Sequence, residues 1–332
     1  VVSHEARILG ALPGEAAIGR FAGWTHAGAL MGSEDVHFTP RPEANGLFLE
    51  VVTIDVGWGD AHLLSLPHGD FVLIDCGSSR HIGDLAAFLD TRVGRGGRIL
   101  ALVLTHPHED HAGGALGDSD NPVDGVLEAY DVGSLLLPEC TPEDFPLLAS
   151  IVEDARDRGI PVYHLRTGDD DMDSPEALGW DPLVRVEVMH SGLPHVGAEE
   201  NDMSLVLRIS LGEIDFLMTG DAERAAEERI LARAAGTAGL ASEVLKLSHH
   251  GSSDANSPAF LQAVSPRVAL LSIDPAEVAW SLPHDQVLRD LEVLMVDLVR
   301  TDDVLGDGSG TEGHASVLTD GSSFELRRIP AL

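Results

Sequence analysis

The segment Thr105-His106-Pro107-His108-Glu109-Asp110-His111-Ala112-Gly113-Gly114 constrains this chain more than any other. It follows the aliphatic run Ile99 to Leu104, which reads as a buried strand. Three histidines and an aspartate therefore crowd the end of one strand. A loop there can turn His106 and His108 to one point and Asp110 and His111 to a neighbouring point. Imidazole and carboxylate donors suit Zn²⁺, and also Mn²⁺ or Fe²⁺. The alternative, a polar loop that is His-rich by chance, fits such tight spacing poorly.

The surroundings of that loop alternate strands and helices. Leu47 to Val56 reads as a strand, Gly57-Trp58-Gly59-Asp60 as a turn, and Ala61 to Leu66 as the hairpin partner. Phe71 to Asp75 is a third strand, and Ile82 to Arg92 has helical spacing. In the second half Val126 to Leu137 ends in a strand and Pro146 to Arg158 is a helix. Val184 to Met189, Ser204 to Ile209 and Ile214 to Met218 read as strands, followed by a helix over Ala222 to Ala235. Val244 to Leu247 and Val268 to Ile273 are short buried strands, Val287 to Val296 is a helix, and Ala315 to Leu318 with Phe324 to Leu326 form a terminal hairpin. This order favours a layered α/β sandwich over a regular βαβ repeat. The run Asp169 to Asp173 reads as a solvated surface loop. Residues 1 to 45, weakly patterned and ending in Thr39-Pro40-Arg41-Pro42, are expected to be an N-terminal extension, and 46–332 one domain.

Charge bears on the partner. The chain has 332 residues, 21 Lys+Arg and 55 Asp+Glu, a net −34. Only one of the 21 cations is a lysine, Lys246. A strongly acidic chain argues against a nucleic-acid binder, which needs a basic face. Acid excess with almost no lysine is also the mark of a surface adapted to salt, so it reports the medium as readily as the partner. On that reading the melting temperature rises between low and molar KCl; a fall would refute it. Cys76 and Cys140 form no CxxC zinc pattern and no disulfide framework. Cys76 reads as a small buried residue. No run of ~18 apolar residues is present to span a membrane. The reading is of a soluble protein, cytoplasmic or exported with its leader removed, with the oligomeric state open.

Further motifs extend the loop into a site. Thr219-Gly220-Asp221 follows a strand, where the aspartate is either a ligand or a helix cap. Ser248-His249-His250-Gly251-Ser252 follows another. The string HxHxDH at a strand end resembles that of the metallo-β-lactamase superfamily. The paired His-Gly-Ser string narrows the resemblance to the metallo-hydrolase domain of ComEC-type DNA-uptake proteins and their stand-alone relatives. Asp55-Val56-Gly57-Trp58-Gly59-Asp60-Ala61 is similar to that branch's DVGQGDA, with Trp58 in place of Gln. Leu73-Ile74-Asp75-Cys76-Gly77, Asn201-Asp202-Met203-Ser204, Ser257-Pro258-Ala259-Phe260-Leu261 and Arg300-Thr301-Asp302 also match.

The resemblance implies a four-layer αββα sandwich holding one or two metal ions, Zn²⁺ with Mn²⁺ as the alternative. It implies His106 and His108 at the first metal, Asp110 and His111 at the second, and Asp221 between them. One of His249 and His250 completes the second metal, with His250 favoured and His249 near the leaving group. Asp75 is expected to orient a ligand histidine, the alternative being a plain turn residue. The family's third histidine for the first metal is replaced here by Asn201; His190 and His195 lie somewhat early to substitute. The family's Asn-x-Tyr-x-His-Pro string is also altered: Leu282 sits at its histidine, and His284 two residues later is either a substrate-binding or proton-donating group or a plain helix-start residue.

The activity implied is hydrolysis by metal-activated hydroxide, of phosphodiester bonds in a small molecule or in nucleic acid, with Asp110, His249 and His284 as catalytic candidates. A β-lactamase or lactonase is the alternative, although Lys246 is poorly placed to hold a substrate carboxylate. A non-catalytic metal-binding scaffold is the third reading. A nuclease needs an arginine-lined groove, for which Arg80, Arg92, Arg95 and Arg98 are candidates.

Overall fold

The structure is a computed structural model. It describes residues 47–117, 123–192, 200–236, 239–274, 276 and 281–330. The expected N-terminal extension over 1–45 and His195 lie outside these residues.

Two sheets face each other. The first runs in the order Phe324–Pro330, Gly313–Thr319, Leu49–Thr53, His62–Ser65, Phe71–Ile74, Ala101–Val103, Leu135–Pro138, Val162–Leu165. Its first five strands pair antiparallel and the rest parallel. The second runs Asp297–Arg300, Val268–Leu271, Val244–Lys246, Ile214–Met218, Val206–Leu211, Val184–His190.

The strand period of two divides the apolar residues among three cores. Val51, Leu64, Val72, Ile74 and Val103 of the first sheet meet Val186, Leu207, Ile209, Phe216 and Leu270 of the second in a central core. Their neighbours Val52, Leu63, Leu73 and Leu102 point outward, onto Leu85 and Leu89 of the helix Ile82–Arg92 and Leu148 and Ile151 of the helix Pro146–Asp157. Leu217, Leu245 and Ala269 do the same beneath the helices Arg224–Ala234, Pro258–Val264 and Asp285–Leu294. Helices outside, sheets inside: this is the αββα sandwich. Strands buried on both faces read as continuous apolar runs, as Phe71–Ile74 and Ala101–Val103 do.

Three sequence expectations change in detail. The run Ile99 to Leu104 is not one strand: Arg98–Ile99 pairs with Asp131–Val132 in a small separate sheet, and Ala101–Val103 enters the main one. Leu100 breaks the run because its N–H turns aside to the Phe71 carbonyl. The helix expected from Ala222 starts at Arg224, because Ala222 N–H is used to close a turn on Thr219. The edge strands Val162–Leu165 and Asp297–Arg300 are additional; their half-polar pattern hid them.

Strand ends place the chemistry. Phe71–Ile74 leads to Asp75, Ala101–Val103 to Thr105 and His106, Ile214–Met218 to Asp221, and Val244–Lys246 to His249 and His250. All are carboxyl ends of strands that have parallel neighbours, the usual place for a site in α/β folds.

Candidate metal centre

The two sheets contribute to one cluster. Among the described residues, Asp60, His111, Asp221 and His250 are all buried and offer ligand atoms within 4.8 Å of one another. Asp221 Oδ2 is the focus. It lies 3.2 Å from His111 Nε2, 3.6 Å from His250 Nε2 and 3.9 Å from His106 Nε2. Asp110 Oδ2 is 3.5 Å from His250 Nε2.

Each of these imidazoles is held from behind. His111 Nδ1 donates to Asp75 Oδ2 at 2.8 Å. His250 Nδ1 donates to the Ser272 carbonyl at 2.9 Å. His106 Nδ1 is 3.1 Å from Thr105 Oγ1, which itself donates to Asp75 Oδ2. Asp75 therefore anchors two histidines, one directly and one through Thr105, as a group that orients ligands does. All three rings leave a buried Nε2 with no hydrogen-bond partner. Buried polar atoms are rarely left so, and three converging on one carboxylate oxygen are what a metal would satisfy. The donors, imidazole and carboxylate, fit Zn²⁺ or Mn²⁺.

The local backbone is shaped for this. Gly59, at φ +129, packs so closely on the metal loop that a Cβ would come 2.2 Å from the Asp110 carbonyl; Asp60 N–H bonds that same carbonyl. His249 and His250 both take left-handed conformations, φ 44 and 46, which cost roughly 1–2 kcal/mol each for non-glycine residues. The strained pair sends the two rings in different directions. His250 is fully buried in the cluster, under the ring of Trp58 at 4.4 Å. His249 faces outward to Glu223, whose Oε1 is 2.9 Å from its Nδ1.

Electrostatics follow from burial against pairing. Burial alone would lower His111, but Asp221, Asp75 and Asp110 outweigh it and hold its pKa well above the usual value. Burial likewise opposes ionisation of Asp221, yet His111, His250 and Lys246 hold it well below the carboxylate range. His106, desolvated and next to His111, is pushed well down.

The remaining candidates are spread around the cluster. His108 is 38% exposed and sits 3.1 Å from Glu200 Oε2, with its ring 4.7 Å from that of His106. Asn201 Nδ2 donates to Glu223 Oε1, leaving a buried Oδ1 without a partner. His190 commits Nε2 to the Asp202 carbonyl and does not enter the cluster. His284 is the residue before the helix Asp285–Leu294, and its Nδ1 accepts the Ser253 N–H just beyond the paired histidines. Cys76 is buried, and burial raises its thiol pKa, which disfavours the nucleophilic thiolate.

A family description, the metallo-beta-lactamase superfamily, matches residues 57–133. Among solved structures, the CmlA beta-hydroxylase E377D mutant superposes with a TM-score of 0.51 at 14% identity, covering 84% of this chain and 54% of that one. The fold is that of the metallo-β-lactamase superfamily. Curated relatives include ComE operon protein 3 of Bacillus subtilis, 28% identical over 76% of this chain and 32% of its own length. Recombination protein 2 of Haemophilus influenzae is 30% identical over 73% of this chain and 26% of its own length. The chain thus spans about a third or less of these relatives. A His/Asp cluster in a metallo-β-lactamase fold supports metal-dependent hydrolysis. No helix among the described residues is long and apolar enough to cross a membrane.

Two residues of the cluster escaped the sequence reading. Asp60 falls in a turn and in the string Asp55–Ala61, neither of which marks it as a member of the cluster. Lys246 was read as a strand residue, but its side chain is 1% exposed and reaches Asp60 and Asp221. Burial works against its charge, and the two carboxylates more than restore it, raising its pKa. One signal was available: a lone lysine inside the apolar string Val244-Leu245-Lys246-Leu247.

The expected arginine groove is not assembled from its candidates. Arg92 is buried against Glu50, Arg95 pairs with Asp124, and Arg98 with Asp131. The Gly-rich stretch looked basic only because its acidic partners are distant in sequence. Arg80 stays exposed.

Proposed function

We propose that this chain is a metal-dependent phosphodiester hydrolase of the phosphodiesterase or nuclease type. The observation that carries the metal chemistry is the convergence of three unpartnered Nε2 atoms on Asp221 Oδ2. His106, His111, Asp110, Asp221 and His250 would hold the metal, with His108 at its open side. A metal so held supplies a water acidified toward neutral pH and a Lewis acid for the scissile group.

The chain's own residues complete the site. Asp75 fixes the tautomer of His111. Glu223 Oε1 is 2.9 Å from His249 Nδ1 and Asn201 Nδ2 is 3.5 Å from both its ring nitrogens, so these two side chains hold the His249 ring, which would then be available to a leaving group. The phosphodiester class is supported by a relative whose name refers to recombination. It is also supported by Lys246 being enclosed between two carboxylates, which leaves no lysine to hold the carboxylate of a β-lactam. With three of the four arginines paired, a short or flexible phosphodiester suits the site better than a long duplex.

The test is hydrolysis by protein purified without chelator and assayed for metal. Bis-p-nitrophenyl phosphate, single-stranded DNA, nitrocefin and a lactone are the substrates, with His108→Ala and His250→Ala as controls. Metal-dependent cleavage of the phosphodiesters supports the reading. Cleavage of nitrocefin or the lactone alone would replace it by the carbonyl-hydrolase reading, and no activity on any substrate by the scaffold reading.

A further inference from the structure

Lys246 is the single lysine of a chain that otherwise uses arginine for every cation. It is also among the largest fully buried side chains. An ammonium carries three donors, and here three oxygens surround it, two of them hydrogen-bonded and one ion-paired. Nζ lies 2.7 Å from the Gly220 carbonyl and 3.2 Å from Asp221 Oδ1, and it pairs with Asp60 Oδ2. A planar guanidinium cannot make this compact three-way contact.

The pairing divides Asp221. Oδ1 belongs to the ammonium, while Oδ2 faces His106, His111 and His250. It also captures Asp60, whose carboxylate is close enough to His111 and His250 to serve as a ligand itself. We infer that Lys246 is a positioning residue that withholds Asp60 and the Oδ1 of Asp221 from the metal, so that Asp221 presents one oxygen and Asp60 serves as the lysine's counter-ion. This rests on the metal-binding reading above.

Removing the ammonium should release two carboxylate oxygens beside the imidazoles and delete a positive charge close to the metal. The Lys246→Met protein, stripped by chelator and titrated with Mn²⁺ in a calorimeter, should bind at least roughly tenfold more tightly than the wild type. Loaded with Co²⁺, it should show weaker visible absorption, because added oxygen ligands raise the coordination number. The double variant Lys246→Met/Asp60→Asn removes both charges of the pair and leaves only Asp221 Oδ1 released, so it should bind more weakly than Lys246→Met and at least as tightly as the wild type.

Unchanged or weaker Mn²⁺ binding by folded Lys246→Met would overturn the inference. So would a double variant as weak as His250→Ala, since Asp60 would then be a ligand. If Lys246→Met does not fold, the double variant, with no uncompensated buried carboxylate from that pair, decides alone. A wild type that binds no better than His250→Ala removes the metal reading itself, and the inference with it.

Discussion

The cluster has two unlike halves. On one side Asp110, His111, Asp221 and His250 close around a point, with Asp60 and Lys246 behind them; all but the partly exposed Asp110 are buried. On the other, His106 is buried, but His108 stands 38% exposed beside Glu200, and Asn201 is turned to Glu223. Every imidazole in the closed half has its Nδ1 tied to a buried carboxylate or carbonyl; His108 and Asn201 instead meet the partly exposed carboxylates of Glu200 and Glu223. A site built this way is preorganised on one side and adaptable on the other. The closed half is suited to holding a metal tightly, and the open half to admitting substrate and completing the coordination with water.

The contrast can be broken most sharply by deleting one imidazole from each half. His111→Ala should weaken metal binding more than about a hundredfold, and His108→Ala no more than about tenfold, in calorimetric titration of chelator-treated protein. Equal losses would mean the halves are not distinct. Next in size, Asp75→Asn should weaken binding about 10- to 100-fold. It leaves every metal donor in place, but removes the charge and one of the two accepting oxygens that hold Thr105 and His111, and through Thr105 also His106; unaltered affinity would make Asp75 a turn residue after all. Smallest, Glu223→Gln should lower kcat about tenfold through His249 while metal content, measured by elemental analysis, stays constant. Loss of metal in that variant would instead place His249 and Glu223 within the metal-holding half.

The sequence exposed the two halves unevenly. His106, His108, Asp110 and His111 were readable because they are neighbours on one loop, and spacing carries their chemistry. Strands such as Phe71–Ile74 and Ile214–Met218 were readable because burial on both faces leaves an unbroken apolar run. Lys246 and Asp60 were not, because their relation exists only once two sheets face each other. The arginines of the Gly-rich stretch misled for the same reason: Glu50, Asp124 and Asp131 neutralise them across the fold. The missing third histidine was visible at Asn201, yet that its amide would reach Glu223 was not.

The origin of the donors has one more consequence. His106, Asp110 and His111 come from the first sheet, and Asp221 and His250 from the second, with Leu205 N–H bonding the Thr105 carbonyl between them. A metal bound here is a rivet through both layers of the sandwich. Neither layer alone offers a complete grip, so metal uptake doubles as a gauge of how well the layers are seated. Repacking the central core at Leu207 or Phe216, away from any donor, should therefore register first as a looser hold on the ion.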